Sequence, residues 1–130
     1  MRIFALQPCH IDHYWDQILP FLLTVNGDWS PDDVKEELLE SRAQLWGQMG
    51  DSIEGIIITK LQIEGSVKRC VIWIAAGKGL LKEGRKLLSE IIEPWAAKQM
   101  CSYISVVGRK GWGRALPDYT EVARMYEKVL

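Results

Sequence analysis

The fold of this chain is decided by residues 67–107, which read VKRCVIWIAAGKGLLKEGRKLLSEIIEPWAAKQMCSYISVV. The apolar runs 67–76 and 101–107 predict two strands, and residues 80–99 predict one long amphipathic helix because their apolar positions recur every three or four residues. Two strands joined by a helix that packs back on them form a βαβ unit. Pro94 lacks the N–H that continues the helical hydrogen bonds, so we expect a kink or a break there.

The turn between the first of these strands and the helix concentrates positive charge. Gly77 and Gly79 flank Lys78, and Lys82 and Arg85 follow at the start of the helix. Cations are disfavoured at a helix amino terminus, and the cap position holds none of the usual capping residues. A bound anion would relieve both problems, since free backbone N–H groups after the two glycines form a phosphate cradle. The alternative is that the lysines are solvated and the glycines simply form the turn.

Composition places the chain among single-domain globular proteins. Its 130 residues fit one domain, residues 1–130, with 48% hydrophobic and 25% charged residues. The net charge of −1 argues against a dedicated nucleic-acid binder, which normally carries a basic excess. Six tryptophans must be absorbed by a core or an interface.

The pattern of cysteines and the lack of long apolar runs indicate in which cellular compartment the protein resides. Cys9, Cys70 and Cys101 are widely separated and form no zinc-binding pattern with histidine, so we expect buried thiols in a reducing environment. No apolar run approaches about 18 residues, and the first residues lack a signal-peptide pattern. These observations predict a cytoplasmic protein without membrane contact.

The rest of the chain predicts a mixed sheet. Ser30 and Pro31 provide a helix cap and a first helical residue. From residue 43 the apolar period changes from 3.6 to 2, which predicts an antiparallel meander. The predicted fold class is α/β (α+β), with order β-α-α-β-β-β-α-β-(loop or short helix)-β. Its elements outside the βαβ unit are strand 1–6, helices 10–25 and 31–42, strands 44–49 and 53–63, and a last strand 119–130.

This order resembles the GNAT fold of the acyl-CoA N-acyltransferase superfamily. Within it, the chain is most similar to the short GNAT-like proteins encoded by tailed bacteriophages and prophages. That narrower resemblance rests on four features: a tryptophan-rich first half, the helix end Glu93-Pro94-Trp95-Ala96, the turn Gly108-Arg109-Lys110-Gly111-Trp112 and the final residues 119–130. For a phage protein it implies the host cytoplasm or the virion as location.

The resemblance implies acetyl-CoA as cofactor, with its pyrophosphate at the start of the central helix. A backbone N–H near Ile74 and Ala75 would polarise the thioester carbonyl. The usual family motif, Gln or Arg, two residues, Gly, one residue, then Gly or Ala, is not matched in its spacing, so the coenzyme loop is degenerate. The implied coenzyme-binding residues are Ile74, Ala75, Ala76, Gly77, Lys78, Gly79, Lys82, Gly84 and Arg85.

A transferase of this class needs an acid and a base. Tyr119 is the candidate acid, and its alternative is an aromatic residue that begins a strand. Glu54 is the candidate base, and its alternative is an exposed charge near the start of an apolar strand. His10, His13 and Glu64 are further candidates for the base, and no third ligand accompanies the two histidines for a metal site.

Residues 109–114 carry three basic side chains and a tryptophan. They either bind a phosphate, a base or a protein pocket, or pack where the last two strands separate. Two functions therefore remain open. The first is an acyl-CoA-dependent N-acyltransferase with an unidentified amine acceptor. The second is a non-catalytic GNAT-fold protein that serves as a structural, internal-virion or host-interaction component. A homodimer is compatible with either function.

Overall fold

The protein is built on a five-stranded mixed sheet in the order β1-β2-β3-β4-β5. A computed structural model describes residues 2–77, 80–106, 119 and 126–130, with backbone alone for residues 2 and 80–83. The first four strands pair antiparallel and β4 pairs parallel with β5, as the predicted βαβ unit requires. The strands are β1 (Arg2–Leu6), β2 (Ala43–Met49), β3 (Ile53–Glu64), β4 (Val67–Gly77) and β5 (Tyr103–Val106).

The described helices lie between β1 and β2 and between β4 and β5. After a short 3₁₀ turn at Pro8–His10, the first two helices are α1 (Ile11–Leu22) and α2 (Pro31–Leu39). The second pair is α3 (Leu80–Leu87) and α4 (Glu93–Lys98), which are joined by a π-helical turn at Leu88–Ile92. None of the helices in the described part of the chain is long and apolar enough to cross a membrane.

The predicted cap of α2 is present. The Asp33 backbone N–H donates to Ser30 Oγ over 3.1 Å, and the Ser30 backbone N–H donates to Asp33 Oδ2 over 2.9 Å. This reciprocal pair is a capping box, which satisfies donors that a helix start leaves unpaired. The bond from the Ser30 backbone holds the pKa of the exposed Asp33 carboxyl below its ordinary value.

The central helix departs from a regular α-helix, as the kink or break expected at Pro94 implies. The chain is helical from Leu80 to Lys98, but Leu88–Ile92 form a π-helical turn directly before α4. Pro94 explains the departure, because its nitrogen has no hydrogen to donate to the preceding turn. The expected irregularity at Pro94 is therefore confirmed. It takes the form of a π-helical turn, after which the helix continues.

Two hydrophobic cores lie on opposite faces of the sheet. We call the core under α1 and α2 the first core and the core under α3 and α4 the second core. Trp46 and Trp95 meet edge to face in the second core, with ring centroids 5.0 Å apart. Buried members of the first core include Ile11, Ile18, Leu22, Val34, Leu38, Leu45, Ile56, Ile58 and Ile74; those of the second are Trp46, Ile57, Cys70, Ile72, Leu87, Leu88, Ile92 and Ala96.

Thr59 is a fully buried polar residue on β3. Its hydroxyl accepts from Trp46 Nε1 over 3.0 Å and donates to Gln44 Oε1 over 2.9 Å. Each partner thereby finds the hydrogen bond that burial demands. The threonine fixes the indole ring that packs against Trp95 in the second core.

The predicted last strand is wrong at its end. Residues 126–130 have no regular secondary structure, and Tyr126 and Val129 are 86% and 97% exposed. Strand preference comes from the packing of side chains on a sheet, and these exposed residues have no such packing to stabilise a strand. Residues 120–125 of that predicted strand, and the whole turn at residues 109–114, lie outside the described residues.

Candidate functional site

A β-bulge interrupts β4 at Trp73. On β3, Ile58 pairs with Ile74 while the next residue, Thr59, pairs with Ile72. Trp73 is therefore an extra residue with no partner on β3. Bulges of this kind bend a strand and re-aim its side chains, and they are frequent beside active sites.

The bulge exchanges the two faces of β4. Cys70 and Ile72, before the bulge, belong to the second core, whereas Ile74 and Ala76, after it, belong to the first core. Ala75 packs against the second core. An uninterrupted strand would place all four even-numbered residues on one face. The bulge thus decides which side chains of the last residues of β4 face α3.

On its β5 side, the carboxyl-terminal part of β4 pairs with no strand of the described residues. β5 pairs with β4 along Arg69–Ile72 through its own residues Tyr103–Val106. Residues 74–77 pair with β3 on the other side. Within the described ranges 2–77 and 80–106, no strand pairs with residues 73–77 on the β5 side.

Gly77 ends β4 in a conformation that favours glycine. Its φ is +140°, and an ideal Cβ there would lie 2.6 Å from Gly55 Cα and 2.8 Å from the Glu54 carbonyl oxygen. Both contacts are with the backbone of β3, so neither can be relieved by a side-chain rotation. The glycine is therefore explained by backbone conformation and by close approach to β3, at the position where the chain leaves the sheet for α3.

The predicted coenzyme residues on β4 lie on both faces of the strand. Ile74 and Ala76 are buried at 1% and 6% exposure in the first core. Ala75 is half-buried and packs against the second core, on the face that α3 covers. Side chains at Ile74 and Ala76 are thus structural, and what these residues offer a ligand is their backbone.

The predicted coenzyme residues after β4 are described in part. Gly84 is buried within α3 and Arg85 is exposed on it. Lys82 lies in α3, two residues after the helix begins. Lys78, Gly79 and the side chain of Lys82 lie outside the described part of the structure. Their role in binding an anion stays a prediction.

Glu54, the candidate base, lies in a second bulge. Gln48 pairs with Gly55 while Met49 pairs with Ile53, which leaves Glu54 as the extra residue of β3. Its side chain is exposed. The carboxylate lies against Gly50 in the turn between β2 and β3, at the sheet end where β3 begins and β4 ends.

The structure brings Glu54 and Gly77 together. The Glu54 carbonyl oxygen contacts Gly77 as described above, so the candidate base and the predicted coenzyme turn share one end of the sheet. Along β3, Glu54 precedes Ile58, the partner of Ile74, by four residues. At about 3.4 Å per residue this is about 14 Å of strand. Proton transfer from an amine near Ile74 to Glu54 would therefore run through water.

Tyr119, the candidate acid, is half-buried against the second core. Its hydroxyl donates to Glu93 Oε2 over 3.0 Å. Glu93 is the first residue of α4 and follows the π-helical turn. The sequence did not indicate Glu93 as a partner, because 26 residues separate the two side chains.

Gln17 is a second residue that the sequence did not indicate. Its Oε1 accepts the backbone N–H of Ile53 over 3.0 Å, which connects α1 to the start of β3. Nothing in the amphipathic pattern of α1 distinguishes Gln17 from a surface glutamine. The signal appears only when the register of β2 and β3 is known.

The remaining candidates do not form a shared site. His10 and His13 are exposed, and Glu64 is exposed at the β3–β4 hairpin, where Arg69 Nη1 lies 4.0 Å from its Oε2. Among the described residues there is no group of three histidine, cysteine, aspartate or glutamate side chains able to hold a metal ion.

Cys70 is an inert thiol by its surroundings. Burial raises its pKa to about 11, the neighbouring Cys101 contributes in the same direction, and a hydrogen bond with Thr59 opposes both. The thiol is therefore protonated at neutral pH.

This architecture is the GNAT fold. Ribosomal-protein-alanine N-acetyltransferase from Brucella melitensis biovar Abortus 2308 superimposes with a TM-score of 0.68 at 13% identity, covering 100% of this chain and 99% of that one. A probable acetyltransferase gives a TM-score of 0.74 at 10% identity, covering 100% and 97%. A predicted acetyltransferase with acetyl-CoA from Clostridium acetobutylicum gives 0.64 at 8% identity, covering 98% and 95%. No family model matches the sequence, and no curated protein matches it.

Proposed function

We propose that this chain is an acyl-CoA-dependent N-acyltransferase that transfers the acetyl group of acetyl-CoA to an amine. The observation that carries the proposal is the end of β4 after the Trp73 bulge, which pairs with no described strand on its β5 side, in a fold shared with acetyltransferases. The pantetheine arm of the coenzyme would lie along this side as an additional extended strand. A backbone N–H near Ile74 or Ala75 would then donate to the thioester carbonyl oxygen.

The coenzyme phosphates would lie at the other end of the same strand. Gly77 directs the chain into α3, whose first N–H groups have no partner within the helix. Lys78, Gly79, Lys82, Gly84 and Arg85 are the proposed residues of this phosphate site. The spacing of its glycines differs from the usual motif, so charge from the lysines and arginine carries a larger share of the binding.

The reaction would proceed by direct attack. The neutral amine adds to the thioester carbonyl carbon, and the hydrogen bond from β4 stabilises the oxyanion that forms. Collapse of this intermediate forms the amide and breaks the carbon–sulfur bond, which releases the coenzyme thiolate. Glu54 would accept the amine proton through water, and Tyr119 would turn from Glu93 to protonate the thiolate.

Titration with acetyl-CoA by calorimetry tests coenzyme binding. We expect micromolar to submillimolar affinity, and a loss of about tenfold or more when Lys78 and Lys82 are both changed to Ala, since each charged hydrogen bond to phosphate contributes about 1.5–3 kcal/mol. The matched control changes Lys98 and Lys128 to Ala, because both residues lie outside the proposed phosphate site. Wild-type protein that does not respond to millimolar acetyl-CoA would refute the proposal.

Release of coenzyme thiol, measured with a panel of amines, tests catalysis. The panel includes a peptide with an amino-terminal alanine and an aminoglycoside, since neighbours in structure carry the names of acetyltransferases for these acceptors. Tyr119→Phe is expected to lower kcat about 10²-fold with little change in acetyl-CoA affinity, and Glu54→Gln to shift the acidic limb of the pH profile. Turnover unaffected by both variants would remove these two residues from the mechanism.

The second candidate is a non-catalytic GNAT-fold protein of a phage particle or of a phage–host contact. The departure of residues 77–84 from the usual coenzyme motif favours it. Its test is copurification with capsid or portal components from phage-infected cells. A protein that does not bind acetyl-CoA and that copurifies with capsid or portal components would establish the second candidate in place of the first.

A further inference from the structure

We propose that Gln17 is a positioning residue for acetyl-CoA binding: by holding the Glu54 bulge of β3, it fixes the end of β4 from which the coenzyme turn starts. This inference rests on the proposed function and adds to it a residue of α1. Gln17 is half-buried on α1 and accepts the Ile53 N–H over 3.0 Å. It connects segments 36 residues apart in sequence.

This hydrogen bond lies directly beside the bulge, because Ile53 precedes the extra residue Glu54 and pairs with Met49. A bulge leaves its extra residue unpaired and locally disrupts the ladder between the two strands. Ile53 is 5% exposed, and a buried backbone N–H without a partner is costly. Gln17 supplies the acceptor from outside the sheet, so the bulge is held by α1 as well as by β2.

The bulge in turn supports Gly77. Gly55, the residue after the bulge, is the partner of Gly77 across β3 and β4. The Glu54 carbonyl oxygen and Gly55 Cα are the closest atoms to an ideal Cβ on Gly77, at 2.8 and 2.6 Å. A shift of the bulge by a few tenths of an ångström therefore moves the β3 backbone atoms that pack against Gly77. Contact thus runs continuously from Gln17 through Ile53 and the bulge to Gly77.

Three variants separate positioning from general stability. Gln17→Met keeps the length of the side chain and removes the acceptor, while Gln17→Glu keeps an acceptor oxygen. Gln62→Met is the matched control, since Gln62 is exposed near the far end of β3. For each variant we would measure the Kd and KM of acetyl-CoA, kcat, the melting temperature and amide hydrogen exchange of residues 50–55 and 73–77.

Gln17→Met is expected to raise both Kd and KM for acetyl-CoA about fivefold, to change kcat less than about twofold, and to speed exchange in both segments. Gln17→Glu should restore Kd to within about twofold of wild type, and Gln62→Met should match wild type. Unchanged acetyl-CoA affinity in Gln17→Met, whatever its melting temperature, overturns the positioning role and leaves the proposed function intact. Wild-type protein that does not bind acetyl-CoA overturns both.

Discussion

Changing Gly77 to alanine should destabilise the protein by about 2–6 kcal/mol. Two terms add at this position. A φ of +140° is nearly restricted to glycine, and an alanine held there costs about 1–3 kcal/mol. The new methyl group would also lie 2.6 Å from Gly55 Cα and 2.8 Å from the Glu54 carbonyl oxygen, and overpacking of this kind adds about 1–3 kcal/mol.

Gly65→Ala is the matched control for this prediction. Gly65 has a φ of +59°, yet nothing lies within 4 Å of its ideal Cβ, so only the conformational cost of about 1–2 kcal/mol applies. Urea unfolding followed by circular dichroism and tryptophan fluorescence gives both values on one scale. If Gly77→Ala falls within about 0.5 kcal/mol of Gly65→Ala, the close approach between β3 and β4 at Gly77 does not contribute, and the reasoning is refuted.

Three further predictions concern the polar and thiol groups. Thr59→Val, which leaves the buried Trp46 indole N–H and the half-buried Gln44 amide oxygen without this partner, should cost about 2–4 kcal/mol in urea unfolding, and Thr59→Ser markedly less. Because folding lowers the pKa of Asp33, its contribution to stability is present above the ordinary value of 3.8 and is lost as the pH falls through the folded pKa. The stability difference between wild type and Asp33→Ala should therefore shrink on acidification, and a difference constant down to pH 2 would contradict a stabilising bond from the Ser30 N–H to this carboxylate. Cys70, with its pKa raised from 9.0 to about 11, should resist thiol reagents at pH 8 while the exposed Cys9 reacts at once, as mass spectrometry of labelled peptides would show. Since folding favours the neutral thiol, its contribution to stability is fully present below pH 9 and declines as the pH rises towards 11.

The sequence was sufficient for the order and type of the described elements because each carries a local physical signal. Ser30 and Pro31 fix the start of α2 through capping and a preset φ. The alternation after residue 43 has the period of a strand and predicted the meander. Pro94 marks the irregularity of the central helix because one missing hydrogen has a local effect.

The bulges were beyond sequence reasoning. On β4, Ile72, Trp73 and Ile74 are all apolar. The sequence therefore shows no alternation of apolar and polar residues there that could reveal an extra residue. At Glu54 the single charge is equally compatible with an edge position and a bulge. In both places the register of neighbouring strands decides the outcome, and that register is a property of the folded sheet.

The contacts of the candidate site could not be predicted from the sequence for a related reason. Gln17 meets Ile53 and Tyr119 meets Glu93 across 36 and 26 residues. Such pairs depend on the packing of α1 and α4 against the sheet, and nothing in the neighbouring sequence specifies them. Gly77, in contrast, was recognised from sequence as a turn glycine, and its positive φ agrees.

The Trp73 bulge changes which sequence positions of β4 face each side of the sheet, since the even-numbered residues lie in the second core before it and in the first core after it. Deleting Trp73 would leave Ile72 opposite Thr59 and Ile74 opposite Ile58, so the ladder with β3 would become regular while residues 74–77 kept their faces. Keeping Trp73 but pairing it with Ile58 would instead shift residues 74–77 by one position, and Ile74 and Ala76 would turn away from the first core. The orientation of residues 74–77 thus depends on one position staying unpaired, and we expect β4 to tolerate the removal of that position better than a shift of its register.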